Sequence, residues 1–101
     1  MKMRLRIGEY EIPEHALSDV DFILGTSTVT FSGMAQENDA KEILPKLRQL
    51  SVEPEALSYE AIDPMGVRST GLCNLVNLRL EEVTTNPPMV VFSGELVHPD
   101  S

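Results

Sequence analysis

The sequence has no tryptophan, a single cysteine and no long apolar run, and each of these absences excludes a class of protein. Because Cys73 has no second cysteine to pair with, an intrachain disulfide is excluded and a reducing, cytoplasmic compartment is favoured. The N-terminal segment MKMRLRIGEYEIP lacks the apolar core of a signal peptide. No segment approaches the roughly 18 apolar residues of a membrane span, so the sequence predicts no membrane partner.

Positive charge is scarce and is concentrated at the N-terminus. Eight Lys and Arg stand against sixteen Asp and Glu, which gives a net charge of −8. Binding to a phosphate backbone needs a basic surface, and base stacking needs aromatic side chains, of which there are only two Tyr and three Phe. The sequence therefore predicts no specific nucleic-acid binding. Three of the eight basic residues, Lys2, Arg4 and Arg6, lie within the first six positions.

Residues that carry catalysis are few and follow no known pattern. There is no glycine-rich phosphate loop, no zinc-ligand spacing and no nucleophile elbow. Cys73 is predicted to be a small core residue, and His15 and His98 are predicted to be solvated. Residues 19–21 (DVD) lack the further ligands of a calcium loop and are predicted to form a solvated turn, while residues 81–82 (EE) point to opposite faces of a strand. We therefore predict no catalytic residue, no metal site and no cofactor.

Residues 2–12 alternate between apolar and polar, which predicts a β-hairpin over about this range. Gly8-Glu9 suits a two-residue type II′ turn, since glycine accepts the positive φ of the first turn position. The register pairs three sets of residues across the turn: Ile7 with Tyr10, Arg6 with Glu11, and Leu5 with Ile12. The basic N-terminus is then partly neutralised by acidic residues of its own hairpin.

One segment, ENDAKEILPKLRQL, has helical periodicity and predicts an amphipathic helix over about residues 38–50. Its apolar residues form a single stripe: Ala40, Ile43, Leu44, Leu47 and Leu50. Asn38 is the predicted N-cap. Pro45 removes one backbone donor and is predicted to kink the helix, on the side away from the stripe.

The remaining segments have the alternation and turn residues that are typical of short strands. EHALSDVD is predicted to be a connection, while FILGTSTVTFSGMA, ALSYEAI, VRSTGLCNLVNLRLEEV and MVVFSGELV are predicted to be strand-rich. Val76, Leu78 and Leu80 are expected to share one face, and residues 81–82 to mark a bulge or a strand end. With one helix and no linker, residues 1–101 are predicted to form a single α+β domain, mainly antiparallel β, folded as a sandwich or a partly open barrel.

The tripeptide Phe-Ser-Gly occurs twice, in VTFSGMA and in VVFSGELV. In both copies the ring and the glycine share one face of an extended segment, because side chains alternate across a strand. We expect the two segments to be neighbouring strands of one antiparallel sheet. Gly33 and Gly94 would then leave room for a ring of the partner strand or for another backbone.

The order of segments in the middle and at the end of the chain resembles a known class of proteins. The strand VTFSGMA is followed by a polar gap, the helix AKEILPKLRQL, the segment EALSYEAIDPMG, the strand LCNLVNLRLEEV and the closing strand VVFSGELV. This order, from Thr28 to Val97, resembles small tail and baseplate proteins of tailed bacteriophages, especially distal-tail and tail-completion proteins. The resemblance implies a non-enzymatic, ring-forming structural protein of the virion, made in the cytoplasm of the bacterial host. Its implied partners are further copies of itself or neighbouring tail proteins.

Two other functions stay open on the residues alone. A small acidic inhibitor or adaptor that binds a basic groove of a partner protein has the same size, charge and lack of catalytic motifs, and a small enzyme working through His15 or Cys73 is the third hypothesis. The particle mass in solution separates the tail protein from the inhibitor, because a tail protein forms a ring or joins ring-forming partners. Interaction residues are predicted on the N-terminal hairpin and on the last strand: Lys2, Arg4, Arg6, Phe92 and Glu95.

Overall fold

The computed structural model describes residues 3–23 and 25–99, and these form an α+β fold with one antiparallel sheet. Its strands are β1 (Arg4–Ile7), β2 (Tyr10–Glu11), β3 (Leu17–Ile23), β4 (Thr28–Gln36), β5 (Leu57–Ile62), β6 (Arg68–Val83) and β7 (Met89–Val97). The described residues also contain one α-helix, α1 (Glu37–Ser51), and a short 3₁₀ helix at Glu14–Ala16. The strand order is β2-β1-β5-β6-β7-β4-β3, and the sheet is not closed into a barrel. The predicted class, mainly antiparallel β with one helix, is confirmed.

The N-terminal hairpin forms in the predicted register. Its contacts across the turn are Ile7 opposite Tyr10, Arg6 opposite Glu11, and the N–H of Ile12 donating to the carbonyl of Leu5. Gly8 has a φ of +61° while φ is negative at Glu9, as a type II′ turn requires. Leu5 and Ile7 are fully buried. The apolar face of the hairpin therefore belongs to the core.

The connection predicted after the hairpin is wrong over much of its length. Strand β3 begins at Leu17, so residues 19–21 lie in a strand and not in a turn. Val20 is buried, while Asp19 and Asp21 are exposed. The register of β3 against β4 shifts between Leu17 and Asp19. This irregularity interrupts the period of two on which a sequence-based assignment depends.

The two Phe-Ser-Gly strands are neighbours, β4 and β7, as expected from the repeat. Phe31 lies opposite Gly94, and Gly33 lies opposite Phe92, so each ring faces the glycine of the other strand. A methyl group on Gly94 would lie 2.9 Å from two ring atoms of Phe31, and one on Gly33 would overlap the ring of Phe92 and the carbonyl oxygen of Ala16. The ring centroids are 6.4 Å apart. The repeat is therefore a reciprocal packing unit in which each ring fills the space above a glycine.

Helix α1 packs against the sheet through the predicted stripe. The stripe residues are all buried or packed against the core: Ala40, Ile43, Leu44, Leu47 and Leu50. Pro45 lies inside the helix on its exposed side. The helix begins at Glu37 with Gln36 as N-cap, so the predicted N-cap, Asn38, is wrong. Because β4 continues to Gln36, the chain passes directly from strand to helix, and Asn38 already lies in the first helical turn.

Strand β6 contains a bulge, but not where the sequence predicted one. The register against β7 shifts between Val76 and Arg79, and Asn77 has a φ of +53°. Asparagine is one of the few residues that tolerate this left-handed conformation. Residues 81–82 continue the strand to Val83, so the consecutive glutamates mark neither a bulge nor a strand end.

The bulge changes which side chains of β6 point inward. Before it, Leu75 is buried and lies opposite Leu96. After it, Leu80 lies opposite the buried Phe92 and packs against the core. The extra residue thus switches the inward positions from odd to even numbers. Val76 consequently faces outward, opposite Glu95, and does not share a face with Leu80 as predicted.

Candidate functional site

Strand β6 extends beyond both of its neighbours. β5 pairs only with residues 68–73, and β7 pairs only with residues 74–83. Because β5 and β7 lie on opposite sides of β6, each half of β6 has one paired side and one unpaired side. In the part of the chain that the structure describes, the one backbone hydrogen bond from a loop to residues 74–83 is made at the end of the strand, where the N–H of Thr85 donates to the carbonyl of Val83. Such a row of N–H and C=O groups is a template for another strand.

The two outermost strands of the sheet are protected against such pairing. β2 has only two residues. β3 carries Asp19 and Asp21 at exposed positions and has an irregular register near its start. A second β3 placed antiparallel to the first would bring these carboxylates together, and like charges directly opposite each other are unfavourable. The unpaired side of residues 74–83, called the unpaired half of β6 below, is longer than β2 and lacks the like charges of β3.

A groove of about 610 Å³ lies between α1 and the end of the β6–β7 hairpin. Its apolar lining comes from both elements: Ala40, Leu44, Pro45, Val83, Met89 and Val90. Lys41 and Arg48 line it from the helix, and Glu82 lines it from β6. Because Pro45 has no N–H, the carbonyl of Lys41 four residues earlier lacks its usual helical donor. The groove thus combines apolar surface with charged side chains.

Arg4, one of the basic residues predicted on the hairpin, pairs with acidic residues of the same chain. The Nη2 of Arg4 donates to Oε1 of Glu11 at 2.9 Å, and its Nη1 lies 3.4 Å from Oε1 of Glu60. Arg68 forms an ion pair with Oε2 of Glu60. Glu60 is only 8 % exposed, and its two arginine partners offset the loss of water around its charge. The hydrogen bond to Glu11, followed by the charges of Glu11 and Glu60, raises the pKa of Arg4.

The guanidinium of Arg6 is also hydrogen-bonded within the chain. Arg6 donates from Nη1 to the carbonyl of Gly8, and the same nitrogen lies 3.4 Å from Oγ of Ser58. Lys2 lies outside the described residues. Arg4 and Arg6 are therefore both hydrogen-bonded within the chain before any partner binds.

Phe92 and Glu95 lie on opposite faces of β7. Phe92 is fully buried over Gly33, so it contributes to the core. Glu95 lies on the outer face, where its Oε1 accepts a hydrogen bond from Nδ2 of Asn77 at 3.3 Å. Strands β5 and β6 separate β7 from the arginines of β1. The structure therefore does not bring the described interaction residues together in one site.

The groups that are capable of catalysis are scattered. Cys73 is buried, as predicted, and burial raises the pKa of its thiol to about 11, so the thiol stays protonated at neutral pH. His15 is exposed, and its Nε2 lies 3.0 Å from Oδ2 of Asp39. Within residues 3–23 and 25–99, no three His, Cys, Asp or Glu residues are placed to hold a metal ion.

Sequence reasoning missed Arg79 and Glu81, which lie on the unpaired half of β6. Both are exposed, and they flank Leu80, which packs against the core. Neither side chain forms a hydrogen bond or an ion pair with any other described residue. The available signal was the length of the segment VRSTGLCNLVNLRLEEV. A strand of 16 residues is longer than either of its neighbours, which have six and nine residues, so part of each of its sides is left without a strand partner.

Comparison of the chain with known protein families, with curated proteins and with solved structures found no match. Among the residues whose structure is described, no helix is long and apolar enough to cross a membrane. The features that point to a function are thus the geometry and the charge of the chain itself.

Proposed function

We propose that the protein is a non-enzymatic structural subunit of a bacteriophage tail or baseplate, which assembles into a ring around a DNA channel. The observation that carries the proposal is the unpaired side of β6 at residues 74–83, because a subunit whose sheet is completed by a neighbour needs such an edge. The order of elements from β4 to β7 supports it through its resemblance to small tail proteins. The partners are other copies and neighbouring tail proteins, and the location is the virion after synthesis in the host cytoplasm.

The charge of the chain agrees with a position beside DNA. The net charge is −8, and carboxylates on the outer face of the sheet include Asp19, Asp21 and Glu95. A channel wall that repels phosphate lets DNA pass without holding it. The same charge makes binding to the phosphate backbone unfavourable, which accords with a role that needs no nucleic-acid recognition.

The test of this function is the particle mass, measured by light scattering on the protein alone and mixed with the products of the adjacent genes. The mass is measured at low and at high salt, and we expect a ring or co-assembly with a ring-forming partner. A contact through the hairpin arginines Arg4 and Arg6 would weaken as salt screens it, since the Debye length is about 8 Å at physiological ionic strength.

A second candidate function is an acidic inhibitor or adaptor that binds a basic groove of one partner protein. The observation that favours it is the pair of exposed carboxylates on β3, Asp19 and Asp21, in a chain of net charge −8. A protein that stays monomeric in every mixture and binds one basic target tightly would replace the tail proposal with this one.

A further inference from the structure

The unpaired half of β6 carries a charge pattern that is complementary to itself. Arg79 and Glu81 are exposed on the outer face, and Leu80 between them packs inward. Neither charged side chain has an ion-pair partner among the described residues. On the edge strand β3, by contrast, the two exposed residues at this spacing, Asp19 and Asp21, carry charges of the same sign. A strand that carries opposite charges two residues apart can pair with its own copy.

We propose that the strand that pairs with this edge is β6 of a second copy of the chain, antiparallel and related by a two-fold axis through Leu80. A rotation about an axis normal to the sheet leaves each side chain on the same face of the sheet. Residues of the two copies that lie opposite each other therefore point to the same face. Leu80 then lies opposite Leu80 of the second copy. Arg79 of each copy lies opposite Glu81 of the other, which gives two symmetric ion pairs on the outer face.

The charges select this register over its neighbours. An axis through Arg79 places two arginines directly opposite each other, and an axis through Glu81 or Glu82 places two glutamates opposite each other. An axis through Leu78 places the bulged Asn77 opposite Arg79 and forms no ion pair. Axes further along the chain run past the end of the strand. The register through Leu80 is thus the one that joins opposite charges without opposing like ones.

Residues 74–76 of this edge share a small pocket with the segment 50–57 that leads into β5, so the part that is left for a second strand is residues 77–83, centred on Leu80. β5 ends its pairing at Leu57 opposite Cys73, so it does not cover residues 74–83. The groove of about 610 Å³ begins where β6 ends and is lined there by Glu82 and Val83. Side chains that point inward from the second strand lie on the same side of the sheet as this groove and α1.

The pairing goes beyond the proposed ring. A closed ring uses a heterologous contact, in which one patch meets a different patch, whereas this contact is isologous. Because it occupies the edge at residues 74–83, it joins two chains, or two rings whose own closure uses another surface of the chain. The pairing and the ring can therefore be tested separately.

Charge reversal at Arg79 and Glu81 tests the pairing. Arg79→Glu and Glu81→Arg each replace two attractive pairs with two repulsive ones, so we expect either change to raise the dimer dissociation constant about tenfold or more. The combined variant Arg79→Glu/Glu81→Arg restores opposite charges with the positions exchanged. It should return the constant to within about threefold of the original, as measured by sedimentation equilibrium.

Lys46→Glu is the matched control for Arg79→Glu, because it makes the same change in net charge on the exposed side of α1. It should leave the dissociation constant unchanged, and urea melts should show that every variant folds. A wild-type chain that stays monomeric, or single reversals that leave the constant unchanged, would overturn the pairing. Particles larger than a monomer whose mass is the same in every charge-reversal variant would also overturn the pairing. They would still agree with the assembly given under the proposed function. The proposed assembly fails with the pairing only if the chain is monomeric both alone and in mixtures.

Discussion

At the residue scale, the two glycines of the repeated tripeptide meet different obstacles. A methyl group on Gly33 would overlap both a ring and the backbone carbonyl of Ala16, whereas one on Gly94 would meet side-chain atoms alone, Phe31 and Leu75. Side chains can shift more easily than backbone. We expect Gly33→Ala to cost about 3 kcal/mol of unfolding free energy and Gly94→Ala about 1 kcal/mol, as for overpacked cores. Urea melts of the two variants measure the difference.

The rings provide the control for this ranking. Phe31→Leu should relieve much of the cost of Gly94→Ala in a double-mutant cycle, because the ring edge is part of that clash. Phe92→Leu should relieve only part of the cost of Gly33→Ala, because the carbonyl of Ala16 remains. Equal costs for the two alanine variants, or full rescue at both sites, would contradict this packing.

Cys73 should make stability depend on pH in the alkaline range. Burial raises its pKa from 9.0 to about 11, so the unfolded chain releases the proton at lower pH than the folded chain does. Stability is therefore lost as pH rises from 9 towards 11, by about 1 kcal/mol at pH 10 relative to pH 8. Cys73→Ala should lack this loss and should keep assembly intact. Urea melts of both proteins at the two pH values give the comparison, and an identical pH dependence would argue against a buried, protonated thiol.

At the element scale, the helix depends on its buried stripe. Leu47 is fully buried, whereas its neighbour Lys46 is exposed. Leu47→Ala should cost on the order of 2–5 kcal/mol through lost burial and a cavity, and Lys46→Ala should cost less than about 0.5 kcal/mol. Coincident urea melts of the two variants would mean that the stripe does not face the core.

The elements that the sequence predicts well are those with a local cause. The hairpin follows from alternation and Gly8, and the helix follows from its apolar stripe, because both patterns are complete within a dozen residues. Strand β3 and the bulge at Asn77 depend on register shifts against other strands. A register shift interrupts the period of two, so the sequence alone misplaces the start of β3 and the inward face of β6.

At the scale of the whole molecule, the candidate site is a property of strand order. The charges of Arg79 and Glu81 are visible in the sequence, but nothing local indicates that β5 stops at residue 73 of β6. Charge and the repeated tripeptide instead predict interaction residues on the hairpin and on the last strand. Arg4 is paired within the chain, and Phe92 is buried. Which edge is left unpaired emerges only when all seven strands are arranged in order.

The most direct test is amide hydrogen exchange of β6, resolved by residue, at protein concentrations on either side of the assembly transition. In the monomer, amides of residues 79–83 that point away from β7 have no strand partner and should exchange fast, while those bonded to β7 should be protected. As the particle mass rises, the fast amides should become protected, and Arg79→Glu should abolish that change. Fast exchange that persists in the assembled particle, or protection that is already complete in the monomer, would contradict completion of the sheet at this edge.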